Sequence, residues 1–340
     1  MKRKHFLSSL LATGALTPLS ALAQRANDER EAAPVIPKYL SRGDTIGITC
    51  PAGYITEEEI RPSMLQMMEW GFYIKIGDTV GRKDFTFGGT DEERARDFQK
   101  MVDDPKINAI MCARGGYGAV RIIDQIDFSK LATHPKWIIG FSDITVMHGH
   151  LNRNYGVASI HSKMCNSFPS DWSKAEPIQI ETILSIKQAL TGDKMKYSTI
   201  ANVQNKMGTA EGVLVGGNLK TIETLSGTKS DLRTEGKILF VEDTGEYLYS
   251  IDRMFWNLKR TGKLDKLAAL VIGGFKIKND DAGEEFGRTL QDIVLDRVKE
   301  YKYPVCFDFP VGHQKNNYAL KCGVKHRLVV AQDGVTLKEI

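Results

Sequence analysis

The chain has 340 residues, with 46 basic and 42 acidic side chains and a formal charge of +4. Residues 1–23 carry Lys2, Arg3 and Lys4 and no acid, so the rest is near neutral and lacks the basic excess of a nucleic-acid binder. A hydrophobic fraction of 42% with 26% charged residues excludes wholesale disorder, and the length suits about two domains of roughly 150 residues.

From the N-terminus, the first segment (1–23) reads as a signal peptide. Lys2-Arg3-Lys4-His5 is a positive n-region, Phe6 to Leu19 an apolar h-region, and Ala21-Leu22-Ala23 a small-x-small cleavage site. Ser8, Ser9, Thr13, Thr17 and Pro18 interrupt the apolar run, which argues against a spanning helix of about 20 apolar residues. The expectation is a periplasmic protein that meets the membrane only during export.

Residues 24–37 read as a disordered leader and 38–168 as an N-terminal α/β domain. Its pattern opens with a strand at Thr45–Cys50 and a helix over Glu57–Trp70 with Ile60, Met64, Met67 and Met68 on one face. Phe72–Ile76 is the next strand, and Asp91–Met101 a helix with acids in its first turn, as the helix dipole favours. Ile107–Cys112, Trp137–Phe141 and Val157–His161 are further strands. Such alternation implies a parallel sheet with helices on both faces, whose ligands sit beyond the carboxyl ends of the strands. Residues 169–206 read as a linker holding a helix-like Ile180–Leu190. The C-terminal domain, 207–340, has strands near Gly212–Val215, Ile238–Glu242, Ala268–Ile272 and Pro304–Phe307. Its helices fall near Leu219–Leu225, Tyr249–Arg260 and Phe286–Tyr301, and short strands over Tyr318–Ile340 make it mixed rather than doubly wound.

Five cysteines with no C-x-x-C pair imply no disulfide scaffold, and Cys50, Cys112 and Cys306 read as buried free thiols. The histidines and cysteines lack metal-ligand spacing, so neither metal nor cofactor is expected.

Five short segments carry chemistry. In Trp137-Ile-Ile-Gly140-Phe-Ser142-Asp143 an apolar strand runs into a tight turn and then a helix, the setting of a nucleophile elbow, although Ile144 stands where G-x-S-x-G has its last glycine. A serine that merely caps the helix fits the same residues. A nucleophilic serine needs a base and an orienting carboxylate. Glu242 ends the strand Lys237–Val241, with Asp243 beside it as an equally acidic alternative, and His313 follows Pro310-Val311-Gly312 in a polar loop. Arg114-Gly115-Gly116-Tyr117-Gly118 follows another strand, where glycines let backbone N–H groups approach an anion. Its G-G-x-G spacing does not match the dinucleotide fingerprint. Gly216-Gly217-Asn218 offers either a further donor or an ordinary N-cap at Asn218.

These blocks, Arg114–Gly118, Gly140–Asp143, Gly216–Leu219, Phe240–Asp243 and Pro310–His313, resemble in order the motifs of the LD-carboxypeptidases (muramoyltetrapeptide carboxypeptidases), serine peptidases, over about Lys38 to Leu337. The resemblance implies a Rossmann-like N-terminal domain, a swivelling-type mixed β/α C-terminal domain, and an active site between them. It implies Ser142 as nucleophile, His313 as base and Glu242 as its orienter, with no metal. Backbone N–H groups of Asp143 and Gly116 would stabilise the oxyanion. The implied substrate is a peptidoglycan stem tetrapeptide, cut between its diamino acid and terminal D-Ala, whose carboxylate Arg114 or Asn218 would hold. Other readings are a microcin-immunity-type hydrolase of acyl-sulfamoyl or phosphoramidate adenylates, with Trp172 as stacker, and a non-catalytic cell-wall peptide-binding protein. A homodimer is left open. The family's recycling members are usually cytoplasmic, so an export signal here favours periplasmic trimming.

Overall fold

A computed structural model describes residues 34–340; the expected signal peptide and most of the leader lie outside the described residues. Residues 34–37, read from sequence as part of a loose leader, are tied down. Val35 donates to the Gly156 carbonyl at 2.9 Å and accepts from Ala158 N–H at 2.8 Å.

The first sheet contains β1 (Thr45–Thr49), β2 (Tyr73–Ile76), β3 (Ile107–Cys112), β4 (Trp137–Gly140) and β5 (Ser159–His161), all parallel. Strands β3, β4 and β5 are almost wholly buried, the near-continuous apolar runs expected of strands covered on both faces. Around them pack α1 (Glu57–Glu69), α2 (Asp91–Asp103), α3 (Ala119–Ile122) and α4 (Thr145–Tyr155). Helices α1 and α2 each begin with a capping box, Thr56 with Glu59 and Thr90 with Glu93, which satisfies orphan N–H groups of the first turn. After Gly118, α3 is a single turn followed by a 3₁₀ turn at Ile123–Gln125.

The stretch read as a linker is structured. Helix α5 (Pro177–Thr191) starts on Pro177, whose fixed φ suits the first helical position, and buries Ile183, Ile186, Ala189 and Leu190 in the first sheet's core. Strand β6 (Lys196–Thr199) is the outer strand of the second sheet.

That sheet has the order β10-β9-β8-β7-β12-β13-β6. It contains β7 (Gly208–Asn218), β8 (Ile238–Glu246), β9 (Ala269–Ile277) and β10 (Val305–Cys306) in parallel, then β12 (Lys325–Val330), β13 (Val335–Glu339) and β6 antiparallel. Helices α6 (Leu219–Thr224), α7 (Leu248–Arg260) and α8 (Leu290–Val298) cover it. The tail departs from the sequence expectation: β11 (Leu320–Cys322) leaves the second lobe and pairs antiparallel with β5, Leu320 opposite His161 and Cys322 opposite Ser159. Alternation alone assigns a three-residue strand to no particular sheet edge.

Helix α4 joins the two lobes. Asn218 N–H donates to Thr145 Oγ1 at 2.9 Å, and Asn154 donates to the Lys229 carbonyl at 3.0 Å. Leu225, just after α6, is buried with Val146 and Met147 of α4.

Candidate active site

Ser142 sits where β4 ends and a 3₁₀ turn, Ser142–Ile144, leads into α4. Its φ is +62°, one of three positive values among non-glycine described residues. The left-handed conformation costs a residue with a Cβ roughly 1–2 kcal/mol, so the turn is held by its surroundings. Three contacts hold it. A Cβ on Gly140 would lie 2.9 Å from the Ile144 side chain, so only glycine lets the strand enter this turn. The buried His148 ring bridges the Gly140 carbonyl at 2.9 Å and Ser159 Oγ at 2.8 Å; burial pushes its pKa down to about 4, so it is neutral. Asp143 accepts the N–H of Ala119 at 2.8 Å and so fastens the start of α3 to the turn. Burial pushes the Asp143 carboxyl up to about 6, although backbone N–H groups and Arg94 favour its charged form.

The glycine segment before α3 lies against the serine. Gly115 accepts from Gly53 N–H at 2.9 Å, and a Cβ on it would come 3.3 Å from that of Ser142. Gly116, with φ of +98°, and Asp143 line the same cleft as Ser142. As the second residue of its turn, Asp143 has a backbone N–H without a partner inside that turn.

The second lobe supplies an imidazole and a carboxylate. Glu242, expected from sequence to end its strand, lies midway along β8, where the pairing with β9 shifts register. It is wholly buried, and its Oε2 accepts His313 Nδ1 at 2.5 Å and His313 N–H at 3.2 Å. A Cβ on Gly312, φ +102°, would fall 2.4 Å from the Glu242 Cβ, so the glycine before the histidine allows the loop to close over the acid. Asn317 Oδ1 accepts Gly312 N–H at 2.7 Å and pins this loop. With Nδ1–H given to Glu242, Nε2 is left as the acceptor. The His313 ring packs on Phe141, the residue before Ser142, with centroids 4.9 Å apart. Lys163 reaches over the same Phe141 ring and donates to the Gln314 carbonyl at 2.7 Å. Among the described residues the Ser142 hydroxyl makes no hydrogen bond, so the imidazole reaches the serine's neighbour without yet engaging its oxygen; such contacts are commonly loose before a ligand binds.

Asp243 points away from this couple. It accepts Asn218 Nδ2 at 3.1 Å, Lys220 N–H at 2.8 Å and Thr244 N–H at 2.7 Å, and burial pushes its pKa up to about 6. Asn218 is the N-cap of α6, its Oδ1 accepting from Thr221 N–H and Oγ1, each at 3.0 Å. Its amide thus serves the fold at both ends, while the residue also lines the Ser142 cleft. Arg114 does not line the Ser142 cleft. It donates to the Tyr54 carbonyl at 3.0 Å in an adjoining cleft that shares Gly116 and Tyr117. Trp172 packs against the first lobe's core, away from Ser142. All five cysteines are buried and unpaired, and among the described residues no group of three or more His, Cys, Asp or Glu is arranged to hold a metal ion.

The LD-carboxypeptidase N-terminal domain matches residues 46–162 and the LD-carboxypeptidase C-terminal domain residues 211–328. The chain belongs to the LD-carboxypeptidase family. It is 32% identical over 298 residues to the probable murein peptide carboxypeptidase of Bacillus subtilis, covering 87% of this chain and 92% of that one. The crystal structure of muramoyltetrapeptide carboxypeptidase from Oxalobacter formigenes aligns with a TM-score of 0.76 at 27% identity, over 87% of this chain and 98% of that one. The microcin C7 self-immunity protein MccF of Escherichia coli is 25% identical over 334 residues, 90% of this chain and 96% of that one. As an LD-carboxypeptidase family member this chain is a carboxypeptidase enzyme of the expected two-lobed α/β fold. Family motifs direct attention to strand ends and miss Thr145, His148 and Asn317, which touch the site only through backbone groups. For His148 the only sequence signal is its position six residues after Ser142, on the helix that the elbow opens.

Proposed function

We propose that this enzyme is a serine LD-carboxypeptidase that hydrolyses the amide between the diamino acid and terminal D-Ala of a peptidoglycan stem tetrapeptide. The observation that carries the reading is the Glu242–His313 pair packed on Phe141, one residue from a serine in a left-handed turn. Ser142 attacks the carbonyl of the third residue while His313 Nε2 takes its proton. Glu242 fixes the imidazole's tautomer and stabilises the imidazolium. The N–H groups of Asp143 and Gly116 stabilise the oxyanion of the tetrahedral intermediate. His313 then protonates the leaving amine of D-Ala, and water hydrolyses the acyl-enzyme by the same route in reverse. Arg114, exposed beside Gly116, is the cation for the D-Ala carboxylate; Asn218, which also lines the Ser142 cleft, holds α6 and Asp243.

The n-region, h-region and Ala21-Leu22-Ala23 support export, and hence trimming of tetrapeptides in the periplasm. Likeness to a microcin self-immunity protein supports a second reading, cleavage of an acyl-sulfamoyl adenylate, but Trp172, the candidate stacker, packs partly buried on the first lobe's core and does not line the Ser142 cleft. The test is to incubate the purified protein with L-Ala-γ-D-Glu-L-Lys-D-Ala and with an aminoacyl sulfamoyl adenosine and to follow the products by mass spectrometry. Release of D-Ala alone is expected; release of the sulfamoyl nucleoside alone would sink the peptidase reading.

A further inference from the structure

The Ser142 cleft and its neighbour meet at Gly116 and Tyr117 but differ in charge. The Ser142 cleft, about 340 Å³, is lined by three acids, Asp143, Asp243 and Glu246, and by Lys220. Asp143 and Asp243 are committed to backbone N–H groups of α3 and α6, and the Lys220 ammonium is held by Glu223 at 3.1 Å. That leaves Glu246, on the last residue of β8, as the carboxylate available to a ligand. Its Oε2 accepts the Ser250 hydroxyl at 2.6 Å, which fixes the side chain. The adjoining cleft, about 470 Å³, is lined by Lys83 and Arg114 and by no acid. Lys83 lies over the Tyr54 ring at 5.2 Å, and Arg114 donates to the carbonyl of the same residue.

We propose that these two clefts read the charged ends of the substrate, Glu246 taking the side-chain ammonium of the third residue and Lys83 with Arg114 the terminal carboxylate. This rests on the peptidase reading above. A peptide cut between a diamino acid and a C-terminal residue carries a cation on one side of the scissile bond and an anion on the other. The acyl side must lie with Ser142, which is the acidic cleft; the leaving residue then lies across Gly116 in the basic one. Opposite charges on the two sides fix the direction and register of a short ligand, since the reversed pose sets like charges together.

The test compares D-Ala release from L-Ala-γ-D-Glu-X-D-Ala with X as lysine or as norleucine, which has no side-chain ammonium. The wild-type kcat/KM is expected to favour lysine at least tenfold, and Glu246→Gln to reduce that ratio by tenfold or more. Glu246→Lys should invert it. In the second cleft, Lys83→Gln should lower kcat/KM for the carboxylate form about tenfold more than for a peptide ending in D-Ala amide. An unchanged lysine-to-norleucine ratio in Glu246→Gln, with D-Ala still released, overturns this inference and leaves the peptidase reading standing. Release from neither peptide by the wild type overturns both.

Discussion

Two dipeptides, Ser142-Asp143 just after β4 and Glu242-Asp243 midway along β8, are built on one plan with different tolerances. In each, the first residue faces the shared site and the aspartate after it turns back to fasten a short helix, α3 through Ala119 N–H and α6 through Lys220 N–H. Each aspartate is buried, with its pKa pushed up to about 6. The first pair bends the backbone into a left-handed turn, so its strain is conformational. The second stays in extended strand and instead buries a carboxylate against one imidazole. The candidate serine is thus placed by a backbone torsion, and the candidate carboxylate by a buried contact with His313.

The largest effect expected is on chemistry at the first pair. Ser142→Ala should lower kcat for D-Ala release by about 10⁴-fold or more, measured in steady state. Ser142→Gly should be equally inactive yet more stable than Ser142→Ala by about 1 kcal/mol in urea unfolding, because glycine adopts φ +62° without cost. At the second pair, Glu242→Gln should reduce kcat by about 10³-fold, since an amide neither fixes the imidazole tautomer nor stabilises the imidazolium. Near-wild-type turnover there would break the parallel between the pairs.

Where the lobes meet, Gly217 has a φ of +141°, and an added Cβ would sit 2.3 Å from Thr145 Oγ1. Gly217→Ala should therefore cost about 2 kcal/mol or more in unfolding free energy and lower kcat/KM by displacing the lobes. The smallest and most discriminating test compares the two aspartates. Asp243 receives three donors on two oxygens, so in Asp243→Asn at least one buried donor faces an amide NH₂, at a cost of about 1–3 kcal/mol. Asp143→Asn keeps a carbonyl oxygen for Ala119 and should cost less than about 1 kcal/mol.

The sign of their pH dependence follows from the raised values. Folding favours the neutral form of each acid, so its contribution to stability is greatest below the ordinary value of 3.8 and declines as pH rises to about 6. Asparagine, which does not titrate, removes that decline; urea midpoints measured from pH 4 to 7 should be flatter in each variant. His148 acts oppositely. Its contribution is intact above its ordinary value of 6.5 and is lost as pH falls towards about 4.

Strand alternation and apolar runs made most of the fold legible, and strand ends drew attention to Ser142, Glu242 and His313. What stayed hidden depends on direction and distance. Sequence left Glu242 and Asp243 as alternatives; neighbouring strand residues point to opposite faces, and only the assembled sheet tells which face meets His313. Asp143 was expected to serve through its backbone N–H, whereas its side chain also grips a helix 24 residues earlier in the chain. Asn218 offered a donor or a cap, and the start of α6 used it as a cap. Residues 169–206 looked like a linker because their polar opening masked the apolar face of α5.

The crossing of β11 into the first sheet has a further consequence. The loop bearing His313 runs from β10 in one sheet to β11 in the other, stitched to both. A gene cut between α5 and β7 would give a front half whose β5 keeps β4 but has lost β11 on its other edge, and a back half with a stray strand. Neither fragment would be expected to mature alone, and activity should return only when the two are co-expressed and exchange that piece.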